Sequence, residues 1–221
     1  MVDHTTYVEA FNNTVVCATQ PLVGWATQVN GLGTRTLDIC QARDPIQSLI
    51  ADNASTSGGI CDAASYQWIM SKWDNAFADP TPDLATGANA GTMNAAVQAL
   101  KHIQSGNDDA YKLLAYRLLR NATGRINAVS SGDISNGITA DRVDFGTRYS
   151  TLIEFKFRLG MDGGHTTAVY RDGNVIEYFD INYGLYRLNR NQFADWFWWF
   201  MQASGYTVAF GSVDLSFYKR M

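Results

Sequence analysis

The chain is poor in the features that mark several large protein classes. It has 3 cysteines in 221 residues, at positions 17, 40 and 61. The count is odd and no two form a C-x-x-C pair, which argues against a disulfide framework and for a reduced compartment. Histidines are equally scarce, and no second one stands near His165. That leaves no ligand set for structural zinc, so no metal is expected. Charged residues make up 17% of the chain and the net charge is −4. Such a surface offers no electrostatic hold on nucleic acid or an anionic bilayer. The longest apolar cluster, Trp196 to Met201, is far too short to cross a membrane. The opening Met1-Val2-Asp3-His4 has neither a basic region nor an apolar core, so no cleaved signal peptide is expected.

What is present divides into two halves. The length suits one domain with a real core or two small lobes. In the first half, apolar residues recur at helical spacing. Tyr7, Val8, Phe11 and Val15 predict a helix over 4–18. Asp44 caps a second, with Pro45 at its first position. Two more are expected over 91–105 and 108–128, His102 near the end of the first reading as a surface residue. Residues 21–42 read as irregular connection with short extended pieces, and 129–147 as a link between lobes. From Tyr149 the period becomes two. Strands are expected over 149–159, 165–171, 175–180 and 185–188, with Arg171-Asp172-Gly173-Asn174 as a tight hairpin. Asn189 to Ser204 predicts a helix with an aromatic face, and Tyr206 to Tyr218 one or two closing strands. Helices followed by an antiparallel sheet make an α+β fold. The helical lobe covers about 1–128 and the sheet lobe about 148–221 of a single domain.

Gly58-Gly59-Ile60-Cys61 stands at the junction of a polar loop and a helix carrying Ala64, Trp68 and Ile69 on one face. The glycines let the backbone turn sharply into it. Cys61 then occupies the first turn, where unpaired N–H groups and the helix dipole favour a thiolate. Taken alone, it reads first as a small buried hydrophobe.

The second signal lies downstream. Gly163-Gly164-His165 begins a strand, and Asp180 ends the next strand of the same hairpin. Short paired strands bring the start of one beside the end of the other. His165 and Asp180 therefore become neighbours at one sheet edge, where a carboxylate fixes the tautomer of an imidazole. Alone, Asp180 reads as a turn residue, since Asp180-Ile181-Asn182-Tyr183-Gly184 is a good turn sequence. With Cys61 packed against this edge, the three make a nucleophile, a base and its orienter. An oxyanion hole needs further donors: the Cys61 N–H is one, and Asn53 in the preceding loop is the candidate for the other.

Three runs carry a family likeness: Gly59-Ile60-Cys61 with its Trp68 helix, Gly164-His165-Thr166-Thr167-Ala168-Val169, and Tyr178-Phe179-Asp180-Ile181-Asn182-Tyr183-Gly184. Together they resemble the papain-like cysteine peptidases, most closely the YopT/AvrPphB-type family of bacterial effector peptidases. The resemblance spans about residues 50–190 in order and is dense in those three runs. It implies a papain-like fold, thiol-based cleavage of a peptide bond in a protein substrate such as a host signalling protein, and delivery into another cell without a cleaved signal peptide. The same residues would serve a glutamine or asparagine deamidase or an acyl transferase. A non-catalytic binding domain with an inert Cys61 is the reading from a different class. No cofactor is expected, and a monomer is.

Overall fold

The computed structural model of the chain describes residues 31–41, 44–51, 59–73, 75, 77–85, 90–104, 125–133, 150–157 and 164–218. Among these, β1 (Gly33–Leu37) is followed by four helices: α1 (Ile46–Ala51), α2 (Cys61–Trp73), α3 (Thr81–Leu84) and α4 (Ala90–Gln104). Then come β2 (Arg125–Asp133), β3 (Ser150–Phe157), β4 (Gly164–Asp172), β5 (Val175–Asp180) and β6 (Gly184–Asn189). A short 3-10 turn leads into α5 (Phe193–Ala203), α6 (Tyr206–Ala209) and the last strand, β7 (Phe210–Tyr218). The expected helix over 4–18 and residues 108–124 of the helix expected over 108–128 lie outside the described residues.

The strands form one antiparallel sheet in the order β1-β6-β5-β4-β3-β7-β2. Its centre is the meander β3 to β6, which the alternating pattern predicts nearly to the residue. The edges differ from the sequence expectation. Gly33–Leu37, in a stretch read as irregular connection with short extended pieces, pairs with β6, and Arg125–Asp133, read as helix end and linker, pairs with β7. Both are edge strands, where pairing to a neighbour outweighs a weak local pattern. The boundary near 128 therefore falls inside a strand, and the antiparallel sheet draws both its edges from the first two thirds of the chain.

Each face of the sheet carries its own core. On one face lie α1 to α4, with Trp68, Ile69, Met93 and Leu100 packed against Leu152, Ala168 and Phe179. On the other lies α5, whose Phe193, Trp196, Phe197 and Phe200 pack on Ile153, Val169 and Tyr178. The aromatic face of that helix is thus core. Because both faces are covered, β4 is buried at five successive positions, His165 to Val169. Alternation along β4 directs Ala168 to the helical side and Val169 to the α5 side. His165 shares the parity of Val169, so it lies on the α5 side at the strand's beginning.

The candidate active site

Helix α2 is held against β4 and β5 by its own small and aromatic residues. Ala63 and Ala64 are fully buried and let the helix approach the sheet closely. The Ser65 hydroxyl donates to the Thr166 carbonyl at 2.9 Å. Trp68 stacks on Phe179 with ring centroids 5.4 Å apart. Ser65 lies one turn beyond Cys61, and Thr166 follows His165. This pair of contacts therefore brings the first turn of α2 to the first residues of β4.

The turn into α2 depends on Gly59. Its φ is 116°, a left-handed conformation that side chains rarely adopt. A Cβ there would also stand 2.8 Å from Gln41 Oε1. The donors of the first turn are satisfied by side-chain amides. Ile60 N–H donates to Gln41 Oε1 at 2.8 Å, and Ala63 N–H to Gln104 Oε1 at 2.8 Å. Gln41 N–H in turn donates to the Ile181 carbonyl at 2.9 Å. Gln41 thus ties the turn before Cys61 to the turn after Asp180.

His165 and Asp180 meet as the hairpin dictates. The β4–β5 register runs from Asp172 opposite Val175 to Ala168 opposite Phe179. One step further, Asp180 faces Thr167, and His165 is the diagonal neighbour on the same face. His165 Nε2 lies 2.8 Å from Asp180 Oδ1. Both side chains are buried, at 2% and 0% exposure. Cys61 is 7% exposed, and its charge acts on His165. With Nε2 engaged by Asp180, Nδ1 is the nitrogen left for the sulfur.

Asp180 is a buried carboxylate with donors on both oxygens. Oδ1 also accepts from Asn182 N–H at 2.8 Å. Oδ2 accepts from the Tyr206 hydroxyl at 2.6 Å and, at the outer limit of a hydrogen bond, from Tyr178 at 3.4 Å. Burial on its own would lower the basicity of His165. The charges of Asp180 and Cys61, and the hydrogen bonds to both, outweigh it and raise the pKa of His165 to about 10. The aromatic rings of Phe155, Phe210 and Tyr206 enclose the imidazole.

The geometry brings together Cys61, His165 and Asp180. Asn53 lies outside the described residues. His102 is exposed on α4. Asn182, read from the sequence as a turn residue, is buried, with its Nδ2 3.5 Å from His165 Nε2. Two residues escaped the sequence reading. Gln41 sits in a segment taken as connection, and its one signal is an amide closing the otherwise apolar run Ile39-Cys40. Tyr206 comes from a stretch taken as strand, among other aromatic residues that mark only core. Among the described residues, no group of His, Cys, Asp and Glu could hold a metal.

Residues 45–213 match the Peptidase C58 family, described as Yersinia/Haemophilus virulence surface antigen. The chain belongs to that family. The match contains Cys61, His165 and Asp180 and extends beyond the stretch that carried the resemblance. This C58 member has the α+β fold expected of it, with helices packed on an antiparallel sheet. Among solved structures it is similar to the Pseudomonas avirulence protein AvrPphB, at 16% identity and a TM-score of 0.47, over 75% of this chain and 94% of that one. It is also similar to PatoxP, the cysteine protease-like domain of the Photorhabdus asymbiotica toxin PaTox. There the identity is 14% and the TM-score 0.42, over 97% of this chain and 62% of that one. No curated protein matches it in sequence.

Proposed function

We propose that this C58 protein is a cysteine peptidase in which Cys61, His165 and Asp180 form the catalytic unit. The observation that carries this reading is the buried cluster of Cys61, His165 and Asp180, in which His165 is bonded to Asp180 at 2.8 Å and is influenced by the charge of Cys61. A histidine with its charged form favoured holds the adjacent sulfur as thiolate. Cys61 Sγ attacks the scissile carbonyl carbon. The C–N bond then breaks, and the leaving amine takes its proton from His165. Water, giving a proton to His165, hydrolyses the thioester and frees Cys61. Asp180 keeps the imidazole oriented and stabilises its cation.

The Cys61 N–H and the amide of Gln41 are the donors for the developing oxyanion. The Gln41 Oε1 is held by Ile60 N–H, the residue before Cys61, and an amide nitrogen is a donor. In this reading Gln41 supplies the donor for which the sequence offered Asn53. The substrate class is a protein, as the family implies. The family's description as a virulence antigen supports action outside the producing cell, on a host protein. The test is incubation of the protein with candidate host proteins, read by intact mass. Fragments that disappear with Cys61→Ala are the expected result. A small mass gain without cleavage would replace peptidase by deamidase, and an unchanged target set with an unlabelled Cys61 would remove catalysis altogether.

A further inference from the structure

The catalytic reading leaves the buried hydroxyl of Tyr206 at the site unused. This residue is fully buried, and its position is set by an unusual bend. Gly205, with φ at 75°, separates α5 from α6 in a left-handed conformation suited to glycine. Ser204 fixes the bend from both sides. Its carbonyl accepts from the Tyr183 hydroxyl at 2.7 Å, and its Oγ from Tyr206 N–H at 3.4 Å. The Tyr206 ring meets that of His165 edge-on at 5.5 Å and packs on Phe155 at 5.1 Å. Its hydroxyl then reaches Asp180 Oδ2 at 2.6 Å. That is the short distance of a charge-assisted O–H···O bond.

Resting on the catalytic reading above, we propose that Tyr206 is a positioning residue: its hydroxyl holds Asp180 as a carboxylate facing His165, so that the proton between them stays on the imidazole. The groups around Asp180 make this division of labour specific. From β4 comes His165, from β5 Tyr178, and from the following turn Asn182 and Tyr183. Tyr186 lies on β6, and Cys61 on α2 beyond the imidazole. Tyr183 gives its hydroxyl to Ser204, and Tyr178 stands at 3.4 Å. Tyr206 is therefore the close donor to Oδ2 among the described residues. A buried carboxylate without such a donor gains affinity for a proton. It would compete more strongly for the proton on His165, and the imidazolium that supports the thiolate would be weakened. Burial and the charge of Asp180 both raise the pKa of Tyr206 well above its ordinary value, so the phenol remains a donor across the working range.

The experiment compares Tyr206→Phe with wild type by the pH profile of Cys61 alkylation, mapped by peptide, and by kcat and KM on a cleaved target. The expected result is a lower kcat, about ten- to a hundredfold, as for loss of a hydrogen bond to a charged group, with KM little changed. The acid edge of the alkylation profile should move to higher pH. Tyr178→Phe should produce a distinctly smaller loss. If Tyr206→Phe does not fold, 3,5-difluorotyrosine at 206 keeps the ring's shape and strengthens the donor, and the acid edge should move to lower pH. An alkylation profile unmoved in whichever variant folds overturns the proposal, even if activity falls. Failure of the catalytic reading looks different: wild-type Cys61 would then be inert to alkylation, and Cys61→Ala would retain activity.

Discussion

Replacing Asp180 by Asn separates charge from shape at the centre of this site. The amide is the same size, so packing in a position with no exposed surface should survive. Its carbonyl oxygen can still accept from His165 and from Asn182 N–H. Its NH2 then faces the Tyr206 oxygen, which can accept. What disappears is the negative charge 2.8 Å from His165 Nε2. At an effective dielectric of 20, two unit charges at that separation attract by about 6 kcal/mol, before any solvation correction. Not all of this is catalytic, because burying the carboxylate offsets part of it. A loss of roughly two to four orders of magnitude in kcat/KM is therefore expected, the scale seen when an orienting carboxylate is neutralised in such units.

The assay needs two arms. One is turnover of a cleaved target. The other is alkylation of Cys61 against pH, which should become slower at pH 6–7 because the imidazolium is no longer stabilised. The pH dependence of stability gives an independent check. His165 binds its proton more tightly when folded, with a pKa of about 10 against 6.5 ordinarily. Its stabilising contribution is complete below pH 6.5 and is lost as the pH rises through about 10. The slope from this one group is at most about 1.4 kcal/mol per pH unit. Asp180→Asn should flatten that decline in urea melts between those limits. Full activity together with an unchanged alkylation profile would refute the argument and return Asp180 to the role of a turn residue.

Other outcomes follow from the same geometry. Limited iodoacetamide at pH 6–7 should label Cys61 before Cys40, which is 2% exposed and packs in the other core, with peptide mapping as the readout. Cys61→Ala and His165→Ala should each abolish turnover, and the double variant should be no worse than either, since members of one unit are not additive. His102→Ala, on an exposed face of α4, should turn over at the wild-type rate. Gln41→Ala should lower kcat by roughly a hundredfold, as loss of one oxyanion donor does, and should also destabilise the turn before Cys61 in thermal melts. Gly184→Ala should cost at least about 2 kcal/mol in denaturant titrations. Its φ is 104° and a Cβ would lie 2.1 Å from the Leu37 carbonyl oxygen.

The parts of this molecule that could be read from its sequence are those whose geometry is set by neighbours in the chain. The hairpin from β4 to β5 is one. Asp172-Gly173 fixes the turn, the turn fixes the register, and the register makes His165 and Asp180 diagonal neighbours. Nothing distant is needed, so their meeting could be expected from spacing alone. The start of α2 is another, since Gly59 and the periodicity after Cys61 are local. The aromatic face of α5 belongs here too, because its spacing declares one buried side whatever it packs on.

What escaped is set by distant pairing. β1 and β2 are edge strands whose partners lie 79 residues away or more, and edge positions tolerate sequences with weak alternation. Gln41 escaped for a related reason. Its role comes from standing between the Ile60 and Ile181 backbones, which only the folded chain brings together. A glutamine in a connecting segment carries no local mark of that. Tyr206 is the extreme case. Its ring satisfies the pattern of a core aromatic, and a phenylalanine would satisfy it equally. Only the burial of Asp180 gives the hydroxyl a purpose. A buried carboxylate therefore directs where to search next: each of its oxygens needs a donor, and a donor of unexplained provenance is a candidate for function.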